Sequence, residues 1–335
     1  MKWVTKLSIP VVIAAILATG CNNKESEKGR FDDLLAKPPY TSVTDSIREQ
    51  PQNDQLYFRR GVMLNSNDLP EPALADFRKA WSLKKDEKYA FGLANLLLEK
   101  RADSAISFLE SALKDLPESY LLKVVLARAL NEQGKTDEAL ALCNNILAKD
   151  ANSISVLKLK ADILDRKGDS VNTIATLRQA YQLAPQDIEL NYMLALKYAE
   201  SKDGRVLALC DSLIKADSLG IHAEPYYYKG IYYSNIHNND KALAFFDNAI
   251  KTDINFLDGY IEKASLLYEQ KKYTDAMTVL NLCLTVSPKF ADTYYWIGKC
   301  QEATGEKENA RLNYQRAYSL NNNLVEAKDA LERMK

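Results

Sequence analysis

Histidine is nearly missing from this chain, with two in 335 residues. His222 and His237 lie in polar stretches with no second ligand type at metal spacing, so both are read as surface residues and no metal is expected. Glycine (12) and proline (10) are scarce for this length, which argues against an all-β chain with a turn every ten residues. Neither charge dominates: 44 basic residues face 45 acidic ones, a formal net charge of -1. That balance supplies no basic field for nucleic acid and no polyanionic tail. The five cysteines form no CxxC, and there is no Gly-rich phosphate loop, GxSxG elbow or HExxH. Acidic residues are scattered along the chain rather than paired. The reading is a non-enzymatic protein with no cofactor. A hydrophobic share of 47% and a charged share of 27% still describe a folded chain.

Long apolar runs are limited to one. Residues 1–6, MKWVTK, carry two lysines, and residues 7–19, LSIPVVIAAILAT, are apolar except for Ser8 and Thr19. Thirteen residues fall short of the ~20 that a membrane-spanning helix needs, so 1–20 is expected to be a secretory signal. The run Leu17-Ala18-Thr19-Gly20-Cys21 resembles the lipobox of bacterial lipoproteins, with its leucine one place further from the cysteine than is usual. The resemblance implies cleavage before Cys21, acylation of its thiol and attachment to the bacterial outer membrane on the periplasmic side. Two or more acyl chains at ~0.8 kcal/mol per methylene make a lasting anchor. Residues 21–40, polar and ending in Pro38-Pro39, are expected to be a flexible tether, spanning roughly 25 Å. Cleavage removes two of the 44 basic residues, leaving 42 against 45, so the body is not drawn to anionic lipid.

From residue 54 to 322 the sequence repeats itself. GKTDEALALCNNIL (134–147), NNDKALAFFDNAI (238–250), KYTDAMTVLNLCL (272–284) and GEKENARLNYQRA (305–317) align on one small-residue position. That position runs Ala73, Ala105, Ala139, Thr173, Val206, Ala242, Ala276, Ala310, at intervals of 32 to 36 residues. Twelve residues earlier, or eleven in the fifth repeat, comes a second small residue (Gly61, Ala127, Ala161, Ala195, Gly230, Ala264, Gly298), with Leu93 beside Gly92 in the second repeat. Four residues later comes a larger one: Phe77, Leu109, Cys143, Leu177, Cys210, Phe246, Leu280, Tyr314. A period of 34 with small residues at positions 8, 20 and 27 resembles the tetratricopeptide repeat. The resemblance implies an all-α fold, a right-handed superhelix of about eight helix-turn-helix repeats. Residues 41–335 then hold a partial N-terminal repeat (41–53), eight repeats (54–322) and an amphipathic capping helix (324–335). Val206, Leu213 and the extra residues around Ser218-Leu219-Gly220 predict an irregular fifth repeat.

Cys143 and Cys210 share a repeat position two repeats apart and read as buried small hydrophobes, while Cys283 and Cys300 form the one pair able to bridge. Fifteen of the 19 tyrosines lie at or beyond Tyr181. In the family, positions 2, 5, 9 and 12 of each first helix line a concave groove. The resemblance therefore puts Tyr192, Tyr227, Tyr268 and Tyr295 on that groove, with Ile231 and Lys299 beside them. Tyr57, Tyr226, Tyr260 and Tyr294, one place earlier than position 5, are expected in the core. Repeats that grip chaperone C-termini use Lys at position 5 and Asn at position 9; here Lys158 is followed by Asp162, so that clamp is absent. The expected role is an envelope scaffold that binds a peptide or protein segment. The other reading is a surface subunit capturing an external peptide or glycan.

Overall fold

The computed structural model describes residues 31–100 and 102–334. The signal segment, Cys21 and the first part of the tether lie outside the described residues. All regular structure among the described residues is helical, and the chain divides into two compact units at Leu122/Lys123. The N-terminal unit contains α1 (Asp32–Leu35), α2 (Thr41–Glu49), α3 (Asp54–Ser66), α4 (Pro70–Leu83), α5 (Glu87–Lys100), α6 (Ala102–Asp115) and the start of α7 (Tyr120–Glu132). The C-terminal unit continues with α8 (Thr136–Lys149), α9 (Ile154–Arg166), α10 (Ser170–Leu183), α11 (Ile188–Glu200), α12 (Arg205–Ala216), α13 (Glu224–Asn235) and α14 (Asn239–Thr252). It closes with α15 (Leu257–Glu269), α16 (Tyr273–Val286), α17 (Ala291–Ala303), α18 (Lys307–Leu320) and the capping helix α19 (Val325–Arg333). No helix among the described residues is long and apolar enough to cross a membrane.

Packing explains the repeat. All eight aligned residues from Ala73 to Ala310 are buried, and so are the eight larger ones from Phe77 to Tyr314. Where the small residue is glycine, the larger side chain sixteen places on lies directly over it. A Cβ on Gly61 would stand 2.7 Å from the Phe77 ring, one on Gly230 2.5 Å from Phe246, and one on Gly298 2.7 Å from Tyr314. The same sixteen-residue step assigns Leu93 to Leu109 in the second repeat, whereas Gly92 faces Phe77 of the repeat before. Among the described residues, seven helix pairs turn on a residue in the left-handed region: Gly134, Gly168 and Gly305 in three repeats, but Asp68, Lys202, His237 and Lys271 in four others.

In the N-terminal unit, α2 is fastened to the first repeat by charge. The buried Arg60 guanidinium donates to both carboxylate oxygens of Asp76 (2.7 and 2.8 Å) and to the Thr44 hydroxyl (3.1 Å). Residues 31–40 depart from the expectation of a flexible tether. They include α1, and Tyr40 is buried in the core of the first repeats with Leu34 and Leu35 packed against it. Three large hydrophobes within seven residues bury enough apolar area to offset chain entropy there.

Position 4 corrects a second expectation. Tyr260 and Tyr294 are buried, but Tyr57 and Tyr226 are only partly covered. The residue type serves a turn as much as a core. Tyr57, Tyr260 and Tyr294 donate their hydroxyls to the carbonyls of Pro51, Ile254 and Pro288, each six residues back, and Asn191 donates to that of Pro185 in the same way. In the fifth repeat Leu213 is half-exposed, and the following loop is organised by Asp217. Its carboxylate accepts from the backbone N–H groups of Gly220 (3.0 Å) and His222 (2.8 Å). His222 and His237 are both exposed.

Candidate functional site

In the C-terminal unit, successive first helices touch one another: α11 packs on α13, α13 on α15, and α15 on α17. Among the described residues of this unit, no second helix packs comparably on another. Elements inside a bend are the ones crowded together, so these first helices line the inner face of this unit. Their exposed rows are set by the helical repeat, with positions 2, 5, 6, 9 and 12 on one side.

The inner face changes character along the unit. From the third to the fifth repeat it is charged and internally paired. Lys158 bridges Glu189 and Asp187 (3.4 Å), Asp162 accepts from Asn131 (3.1 Å) and pairs with Arg166 (3.2 Å), and Lys197 joins Asp165 (2.8 Å) to Glu200 (2.6 Å). Lys158 is thus held by two acids of the next repeat and has no free clamp function.

From the fifth repeat onward the face is aromatic. The six sequence-selected residues fall into two groups rather than one strip. In the first, the Tyr192 ring lies 6.4 Å from that of His222 and 6.1 Å from Tyr228. Tyr227 lies 5.8 Å from Tyr228 and 5.1 Å from Phe256. Tyr227 also packs 6.0 Å from buried Phe246, and Ile231 joins the same core edge, so both contribute to packing as well as surface. Burial, with Glu224 nearby, pushes the Tyr192 hydroxyl up to about 12.

The second group is built around Trp296. Its ring lies 5.7 Å from Tyr268 and 5.8 Å from Tyr295, and the Lys299 ammonium sits 4.2 Å from the Trp296 ring centre, 4.7 Å from Tyr268 and 5.8 Å from Tyr295. Lys299 makes no ion pair among the described residues, and burial draws its pKa below the usual lysine range. The rings supply the electrostatic partner instead. Glu302, at position 12 of the same helix, accepts from buried Tyr314 (2.7 Å) and from Arg333 of α19 (3.0 Å).

Trp296 and Tyr228 were missed by reading position 5 alone. Both stand at position 6, and counting that column beside position 5 would have found them. Cys143, Cys210, Cys283 and Cys300 are all free, buried thiols, and burial pushes Cys143 and Cys300 up to about 11 and Cys210 to about 12. Cys283 is not bridged to Cys300; its sulfur accepts from the Thr293 hydroxyl at 3.3 Å. No group of His, Cys, Asp and Glu among the described residues could hold a metal ion.

Residues 96–163, 257–290 and 291–324 match tetratricopeptide repeat models. A solved tetratricopeptide repeat protein from Parabacteroides merdae ATCC 43184 is similar in fold, with a TM-score of 0.60 at 22% identity over 73% of this chain and 97% of that one. The Cut9–Hcn1 hetero-tetramer of the APC/C aligns at 14% identity and a TM-score of 0.48, over 88% of this chain and 58% of the other. Yeast Tom70 aligns at 15% and 0.47, over 85% of this chain and 81% of its own. No curated protein matches.

Proposed function

We propose that this solenoid of tetratricopeptide repeats is a binding scaffold anchored by lipid on Cys21 in a bacterial cell envelope. Its inner face from α11 to α17 takes a segment of a partner protein. The repeats themselves support protein–protein interaction as the general role. The observation that carries the finer reading is the run of half-buried rings, Tyr192, Tyr227, Tyr228, Tyr268, Tyr295 and Trp296, on adjoining first helices. Aromatic side chains give large contact area at little rotamer cost and dominate the energetics of interfaces. Position and tether fit together: an acylated Cys21 followed by a polar stretch would hold the solenoid at the membrane while leaving its inner face open to a partner.

Photocrosslinking tests this reading in cells that make the protein. Benzoylphenylalanine at Ser234 or Ser265, small inner-face residues of α13 and α15, is expected to give a discrete adduct. The same probe at Ser212 or Thr278, exposed on second helices, is expected to give none. Adducts only from Ser212 or Thr278 would move the site to the outer face.

A further inference from the structure

The aromatic face has an acidic margin. Position 2 of five consecutive first helices is occupied by Glu189, Glu224, Asp258, Asp292 and Glu326. Each stands in the first turn of its helix, on α11, α13, α15, α17 and α19, where an acid also suits the helix dipole. Glu262 and Glu269 follow on α15. Glu189 is neutralised by Lys158 of the repeat before. The others are not: Glu224, Asp258, Glu262, Glu269, Asp292 and Glu326 make no ion pair among the described residues.

The reason lies in where the lysines of these helices go. Lys229 and Lys263, both at position 7, reach Asp211 (2.6 Å) and Asp247 on the second helix of the repeat before. That leaves the inner margin uncompensated. The acids also sense one another. Glu262 is raised above the usual carboxylate range by burial and by Asp258 and Glu269, and Asp292 by burial and by Asp258 and Glu326. Carboxylates held together against their own repulsion favour a partner that brings positive charge. A second feature points the same way. Trp296, Tyr268 and Tyr295 already hold a cation, the Lys299 ammonium, on their ring faces.

On the proposed groove reading, we infer that the segment taken by this face is cationic: a lysine- or arginine-rich stretch of a partner protein, its charges on the position-2 acids and its side chains against the adjoining rings. Exposed charge pairs are individually weak, so several must act together, and salt must weaken them. The inner-face acids are also suitable for substitution, since removing mutual repulsion does not endanger the fold.

The test uses the full-length chain in a non-ionic detergent and fluorescein-labelled dodecapeptides of alternating lysine and serine, glutamine and serine, or glutamate and serine. The lysine peptide is expected to bind at least tenfold tighter than the glutamine peptide, with the glutamate peptide weakest. Raising salt from 50 to 500 mM should cost the lysine peptide tenfold or more. Asp258→Asn with Glu262→Gln and Asp292→Asn should cost tenfold or more. Asp240→Asn with Asp275→Asn and Glu308→Gln, exposed on second helices, should change affinity less than twofold. A lysine peptide that binds no better than the glutamine peptide overturns the inference, as does an inner-face triple variant that binds like the parent. If Ser265 crosslinks a partner while the lysine peptide is indifferent, the groove stands and only its charge preference falls. If the lysine peptide binds and responds only to the outer triple variant, the groove reading falls as well.

Discussion

A methyl group added at Gly230 would meet the Phe246 ring at 2.5 Å, with the buried Ala242 occupying the same core. Overpacking of this kind costs about 1–3 kcal/mol. Gly230→Ala and Ala242→Leu are each expected to lower the free energy of unfolding by that amount in urea titrations, with damage concentrated in the neighbouring repeats. An unchanged midpoint for both would mean the small residues do not mark closest approach. Asp76 makes the opposite kind of contribution. Burial raises its carboxyl against the pull of Arg60, so the pair is costly to hold and costlier to break. Asp76→Ala leaves a buried guanidinium with only the Thr44 hydroxyl, and a loss of about 3–5 kcal/mol is expected in the same assay. These residues were legible in advance to different degrees. Small residues at a 34-residue interval announce themselves by spacing, whereas a buried arginine looks like any exposed one until the helices are folded together.

At the scale of the helix pair, the turn residue is where this chain is under-optimised. Gly134, Gly168 and Gly305 adopt positive φ, and a Cβ at each would meet open space, so the cost of a side chain there is purely conformational. Lys271 and His237 adopt the same conformation with a side chain. Left-handed backbone costs a non-glycine residue about 1–2 kcal/mol. Lys271→Gly should therefore stabilise the protein by up to about 1 kcal/mol, and Gly305→Ala should destabilise it similarly. Thermal unfolding of the two variants, which should move in opposite directions, checks this. The helical repeat and the helix that follows it were readable from the spacing of small residues, because each helix pair must bury one stripe against its neighbours. The ordering of residues 31–40 was not, since a few hydrophobes among polar residues acquire meaning only when a core lies beside them. Nor was the division of the rings into two groups: spacing along a helix says which side a residue faces, not which neighbour's ring it meets.

At the scale of the whole molecule, charge is nearly balanced overall but not locally, and pH should reveal it. Unfolded carboxylates titrate near ~4. Glu262 and Asp292 are raised in the folded state, so their stabilising contribution is complete below that value and is lost as pH rises through their folded values. Glu262→Gln and Asp292→Asn should therefore melt higher than the parent at pH 7, with the gap closing below about pH 4. Asp187 runs the other way. The Leu190 backbone N–H and then Lys158 hold it below the usual range, so its contribution is present at neutral pH and disappears on acidification. The anchoring proposal is tested at this scale too. Cys21→Ala should leave the precursor uncleaved or release the protein into soluble fractions; a normally processed, membrane-bound variant would remove the lipid from the proposal.

The chain carries three tryptophans, and their placement gives the inner face its own optical reporter. Trp3 leaves with the signal segment if cleavage occurs before Cys21, and Trp81 belongs to the N-terminal unit. Trp296 alone remains in the C-terminal unit, half-buried, with a cation on its ring and tyrosines on either side. Anything that lies down over Tyr268 and Tyr295 must change the solvent around that indole and disturb the ammonium beside it. In a Trp81→Phe background, emission wavelength and quenching by iodide would then follow occupancy of this surface directly, without a label on either molecule.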